Sequence, residues 1–71
     1  DGLARSLIGA ALLQLGSIDE ALGHLEWAIR HDRSLIDARI NLAHIYTQKG
    51  DLGKAERFRL SANVAAQGLV Q

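Results

Sequence analysis

The sequence predicts an all-α domain of two antiparallel helical hairpins stacked as a short α-solenoid. Three observations predict it. The chain matches itself when slid by 34 positions: Ala4 falls on Ala38, Arg5 on Arg39, Gln14 on Gln48, Gly16 on Gly50, Ala21 on Ala55, Ala28 on Ala62 and Leu35 on Leu69. These shared residues are mostly small side chains and turn glycines, the types needed where packed helices touch or reverse, and a period of this length marks stacked repeats. Apolar residues recur at three and four, the helical period. There is no proline, so only glycine and polar residues punctuate the chain, and they cut it into four segments. One repeat covers about 2–35 and the second about 36–69, within a single domain spanning 1–71.

The first helix is expected from about Leu3 to Leu15, with Leu7, Ile8, Ala11, Leu12 and Leu15 on its buried stripe. Gly16 supplies the left-handed residue that ends a helix at low cost. Ser17-Ile18-Asp19-Glu20 reads as a capping box, the serine oxygen accepting from the Glu20 amide while Glu20 reaches back. A second helix follows from Ile18 to about Arg30 and buries Ala21, Leu22, Leu25, Ala28 and Ile29; Arg30 in its last turn suits the negative end of the dipole. Asp32 or Ser34 opens the third helix, and Ser34 with Asp37 forms another possible capping box. Its stripe is Ala38, Leu42, Ala43, Ile45 and Tyr46, and it stops at Lys49-Gly50, a basic last turn followed by glycine. Asp51 is a good N-cap for the fourth helix, which carries Ala55, Phe58, Ala62, Ala65, Ala66 and Leu69 at three and four. Nothing breaks that helix before Gly68, which predicts it as the longest, with an extended end. Connections of two to five residues force antiparallel neighbours. Gly9, Ala10, Ala21, Ala28, Ala43, Ala55 and Ala62 let the helix axes approach closely.

Composition narrows the function classes. Eight basic residues balance eight acidic ones, spread along the chain, which is not the basic stripe of a nucleic-acid binder. There is no run of about 18 apolar residues and so no membrane span. The opening Asp1-Gly2-Leu3-Ala4 is no signal peptide. No methionine occurs, at position 1 or elsewhere, which reads as a piece of a longer protein or one processed at its N-terminus. Without cysteine there is no disulfide or thiolate metal site, and the compartment is left open. A chain this short buries only about 60% of the surface its unfolded form exposes, so marginal stability is expected.

These residues resemble the tetratricopeptide repeat family, whose pattern is W-x2-L-G-x2-Y, then A-x3-F, then P over 34 residues. The second unit has Arg39, Leu42, Ala43, Tyr46, Gly50-Asp51 and Ala55 in register; the first has Arg5, Ile8, Gly9, Leu12, Gly16, Ala21, Leu25 and Ala28. Arg5 and Arg39 replace the tryptophan, a swap the family tolerates. Arg33 and Gln67 stand in place of the closing prolines, and losing the second lets the last helix continue. Arg59 stands where the fourth helix should present an aromatic, between Phe58 and Leu60. That leaves helix four either rotated or paired with something outside the chain.

The resemblance implies a concave groove lined by the first helix of each hairpin, which commonly holds an extended peptide or a partner helix. Carried over, the lining is Leu3, Ser6, Leu7, Ala10, Leu13 and Gln14 from the first unit, and Asp37, Ile40, Asn41, His44, Thr47 and Gln48 from the second. Asn41 sits where relatives often hydrogen-bond a ligand's backbone, its amide offering both donor and acceptor. Of the residues with which some relatives grip a C-terminal carboxylate only Asn41 is present, so no such clamp is expected. The first-unit lining is apolar, and Leu3, Leu7 and Leu13 suit an amphipathic helix; another helix of the parent protein could cover them equally. Trp27 is expected to be partly exposed, as an interface anchor or as a lid over Arg30 or the hairpin edge.

At the far end, Phe58, Leu60, Val64, Leu69 and Val70 are expected to leave an apolar surface with no polar capping face, where terminal repeats usually need one. Two repeats also fall below the roughly three normally needed to stand alone. Self-association as a homo-oligomer, through helix four or by exchange of a hairpin, follows as the expectation for the isolated fragment.

Convergent reactive groups are missing. His24 and His31 are seven apart, two turns along one helix, and Glu20 with His24 gives only two ligands. Ser6, Ser17, Ser34 and Ser61 lack a neighbouring base, and the glycines form no phosphate-cradling run. The sequence therefore implies no catalysis, no metal and no cofactor. It implies a protein-interaction module, scaffold or oligomerisation element. The alternatives are a purely structural segment of a longer solenoid or self-assembly element, or an accessory domain of a larger enzyme or secretion complex.

Overall fold

The computed structural model describes residues 1–68. Four helices follow one another: α1 (Gly2–Gln14), α2 (Ile18–His31), α3 (Ile36–Gln48) and α4 (Leu52–Ala66). No strand occurs among the described residues. α1 packs on α2 and α3 on α4 as hairpins; α2 and α1 both meet α3, and no Cα of α4 comes within 8 Å of α1 or α2.

The two turns inside the hairpins are built alike, 34 residues apart. Gly16 has φ +82° and Gly50 φ +81°. The Ser17 amide donates to the Leu12 carbonyl and the Gly16 amide to Leu13; Asp51 donates to Tyr46 and Gly50 to Thr47. Each pair closes a Schellman motif around a left-handed glycine. Asp1 caps α1 by accepting from the Ala4 amide at 2.7 Å, and Asp51 caps α4 by accepting from Lys54 at 3.2 Å.

The two expected capping boxes do not form. Ser17 precedes α2 without a side-chain cap bond; Asp19 and Glu20 place negative charge in that first turn, where the dipole favours it. Leu35, not Ser34, is the N-cap of α3. The Ser34 hydroxyl donates instead to Asp32 Oδ1 at 2.6 Å, beside a 3.0 Å bond from the Ser34 amide. This turn draws the serine away from the helix end. The hydroxyl bond, and then the amide bond, lower the Asp32 pKa.

The core is Ala21, Leu25, Ala38, Leu42, Ile45, Tyr46 and Ala55, with Leu12, Leu13, Ile18, Leu22, Ile29, Leu35 and Phe58 packed against it. The expected stripes of α2 and α3 are thus the buried ones. That of α1 is not: Leu7, Ile8 and Leu15 are 63%, 46% and 79% exposed, Ala11 is exposed, and the buried residues are Gly2, Ser6 and Gly9. Close approach of α1 to α2 selects small side chains here. A Cβ on Gly9 would lie 2.7 Å from Leu25 Cγ and 3.3 Å from the Ala21 carbonyl.

α4 is the longest helix, but its expected extension is slight. It ends at Ala66, and Gly68 has φ +74°; Leu69 lies outside the described residues. Nor is α4 rotated: Ala55 and Ala62 are buried as Ala21 and Ala28 are in α2. Phe58 supplies the aromatic in place of Arg59, stacking on Tyr46 with centroids 5.7 Å apart and planes 5° from parallel.

Candidate functional site

Two shallow depressions run along the side formed by α1 and α3. The first, about 460 Å³, is lined by Leu3, Ser6, Leu7 and Ala10 from α1, by Ser34 and Leu35, and by Ile36, Asp37, Ile40 and Asn41 from α3. The second, about 390 Å³, is lined by Leu13, Gln14, Ile40, Asn41, His44 and Gln48. Ile40 and Asn41 belong to both, so the two form one groove with half-buried Asn41 where they meet. The 34-residue repeat places α1 and α3 side by side, and that brings together residues more than thirty positions apart.

All the sequence-derived groove residues line this groove except Thr47. Its hydroxyl donates to the Ala43 carbonyl, and it lines a different depression with Leu52, Ala55, Glu56 and Arg59. The groove carries mixed chemistry. Leu3, Leu7 and Ile40 expose large apolar side chains. Asp37 stands towards one end, and His44 Nε2 lies 3.3 Å from Gln48 Nε2 towards the other.

The residues assigned to self-association are scattered. Phe58 is half-buried in the core stack with Tyr46. Leu60 and Val64 are exposed, on the side of α4 away from Ala55 and Ala62. Val70, like Leu69, lies outside the described residues.

Trp27 is half-buried, as expected, but its lid role involves Arg5 and His31 rather than Arg30. The Arg5 guanidinium lies 4.4 Å from the indole centroid, and the His31 ring stacks at 3.7 Å. Arg30 Nε instead donates to the Glu26 carbonyl.

Sequence reasoning missed a further depression, of about 430 Å³, lined by Glu26, Arg39, Tyr46, Lys54, Arg57, Phe58 and Ser61. Arg39 crosses it, donating from Nε and Nη2 to the Arg33 carbonyl at 3.2 and 2.8 Å and from Nη1 to Ser61 Oγ at 2.8 Å. Burial, and then the charge of Arg33, lower the Arg39 pKa. Burial, followed by the Glu26 carboxylate, raises that of Tyr46. The available signal was the register itself: Arg39 and Ser61 are the 34-residue counterparts of Arg5 and Trp27. One arginine is held by a hydroxyl, the other by an indole face.

No group of three or more His, Cys, Asp or Glu side chains able to hold a metal occurs among the described residues. No helix of the described residues is long and apolar enough to cross a membrane.

A family model described as tetratricopeptide repeat matches residues 12–67. Repeats of this kind generally mediate protein–protein interaction and are typically non-enzymatic. Comparison of the chain with curated proteins and with solved structures found no match. The family match runs from the end of α1 to the end of α4, well over half of the chain, and the paired glycine turns and buried alanines recur at the family's own period, so the chain belongs to the tetratricopeptide repeat family.

Proposed function

We propose that this protein binds a short amphipathic helix of a partner protein along the groove between α1 and α3. The carrying observation is that residues from both repeats line one groove whose exposed side chains include Leu3, Leu7 and Ile40. Burial of these apolar side chains supplies the favourable term, about 25 cal/mol per Å² of surface removed from water, and what remains after the cost of association and ordering is the affinity. Asn41, His44 and Gln48 fix the register by hydrogen bonding, since an unpaired polar group in a closed interface costs about 1–3 kcal/mol. An extended peptide is the other occupant of this groove chemistry, with Asn41 bonding its backbone.

The test uses helical peptides selected from a displayed amphipathic library against the wild-type chain. Leu7→Glu should weaken the selected peptides by about 2 kcal/mol, roughly thirtyfold, while Arg57→Ala leaves them unchanged. Equal affinity for Leu7→Glu and wild type would refute groove binding.

Self-association across the outer side of α4 is a second reading, favoured by the exposure of Leu60 and Val64. A dimer in sedimentation equilibrium that is lost in Leu60→Glu supports it; a monomer at every concentration removes it.

A further inference from the structure

The two ends of the stack have opposite chemistry. The contact between the hairpins serves as the template. α2 offers Ile18, Leu22, Leu25 and Ile29 to the core it shares with α3. α3 answers with Ala38, Leu42 and Ile45, each 0% exposed.

Thirty-four residues earlier, the same face of α1 carries Ala4, Ile8 and Ala11. All three are exposed, as is Leu15 a turn further on. This face has the aliphatic character of its counterpart on α3 and lacks only the helix that covers it.

Thirty-four residues later, the face of α2 becomes Leu52, Glu56, Arg59 and Asn63 on α4. Three of the four aliphatic positions are now polar. Glu56 and Arg59 are joined by an ion pair on the helix surface, which lowers the Glu56 pKa and raises that of Arg59. The slot beside them is lined by Ala43, Thr47, Leu52, Ala55, Glu56 and Arg59. It is the counterpart of the one that α3 closes in the first repeat. The expected apolar surface at this end is confined, among the described residues, to exposed Leu60 and Val64 on another side of α4; the stacking face itself is polar.

We propose that the outer face of α1 docks a further hairpin of the same repeat type, seated ahead of α1, whose second helix presents aliphatic side chains at the spacing of Ile18, Leu22, Leu25 and Ile29. The outer face of α4 ends the stack. A second copy of the chain does not fit head to tail. Its α2 is already covered, and seating its α4 on α1 would bury the Glu56–Arg59 pair, whose desolvation the apolar α1 face cannot offset. This docking is separate from the groove, since it uses the outer face of α1 rather than the side facing Asn41.

Two longer chains test the proposal, both keeping the 34-residue period. One carries a copy of residues 1–34 ahead of Asp1; the other carries the same copy after Gly68. The first should unfold in one transition, with its urea midpoint moved up and its slope steeper than in the parent chain. Ile8→Lys in the original segment should cancel that gain. The second should keep the parent midpoint, its appended hairpin melting apart from the rest. Adding Glu56→Leu, Arg59→Leu and Asn63→Ile to the second should couple it as the first is coupled. Equal midpoints for the two longer chains, a higher one for the rear addition, or a gain that survives Ile8→Lys would overturn the proposal. So would a parent chain that grows head to tail with concentration and stops doing so in Ile8→Lys.

Discussion

Gly9 shows how a single residue sets the spacing of a hairpin. It lies under Leu25, which is fully buried and cannot move aside. Gly9→Val should therefore destabilise the chain by about 1–3 kcal/mol through overpacking, despite valine's better helix propensity. Urea unfolding measures this, and an unchanged midpoint would show that α1 can shift outward. Gly50 acts through its backbone: nothing lies within 4 Å of a Cβ built there, yet φ is +81°. Gly50→Ala should cost about 1–2 kcal/mol, the penalty for a side chain in the left-handed region, with no change in the groove.

Acid sensitivity also belongs to individual residues. Asp32 is held below the usual carboxylate range by the Ser34 hydroxyl and then the Ser34 amide. Glu56 is held low chiefly by its bond to Arg59. A carboxylate whose folded pKa is depressed stabilises the fold fully above its unfolded pKa, about 4. That contribution is lost as pH falls through the lower, folded value. Urea midpoints should be flat above about pH 5, where these carboxylates are ionised in both states, and decline below it. The double variant Asp32→Asn, Glu56→Gln should decline less steeply; an identical decline would assign the acid sensitivity to other groups.

At the scale of the element, each helix is defined by how it ends and by which face it buries. The glycine turns and the Asp51 cap were legible because their chemistry is local: a left-handed residue and a carboxylate at N-cap serve the backbone within a few positions. The Ser34 box was misread because the amide and hydroxyl of Ser34 both turn back to Asp32, a local turn the box pattern does not weigh; the missing Ser17 cap bond has no such explanation in the structure. The face of α1 was misread for a different reason. Periodicity marks an apolar stripe but not what covers it, and α1 turns its small residues to α2 while Leu7 lines the groove and Ile8 faces outward. α2 and α3 read correctly because each is covered by neighbours within the chain. Leu25 and Leu42 join them, both fully buried. Leu42→Ala should cost about 2–5 kcal/mol, enough to unfold much of a chain of this size in circular dichroism at 37 °C; a cooperative melt near wild type would mean the core is less shared than its burial indicates.

Across the whole molecule, the repeat arithmetic carries the fold and the groove together. Once α1 and α3 are known to be 34-residue equivalents, their inner sides must lie next to each other, and the lining follows apart from Thr47. The depression crossed by Arg39 and the difference between the two ends could not be read the same way. They depend on which counterpart positions have changed chemistry, as from Leu25 to Arg59 or from Trp27 to Ser61, and on knowing which of those positions face a neighbour.

The most direct test of groove binding is amide chemical-shift mapping of the 15N-labelled chain during titration with a selected amphipathic peptide. The shifts should cluster at Leu3, Leu7, Ala10, Ile40, Asn41 and His44, leaving α4 unperturbed. Shifts confined to α4 or to the depression around Tyr46 and Phe58 would contradict it.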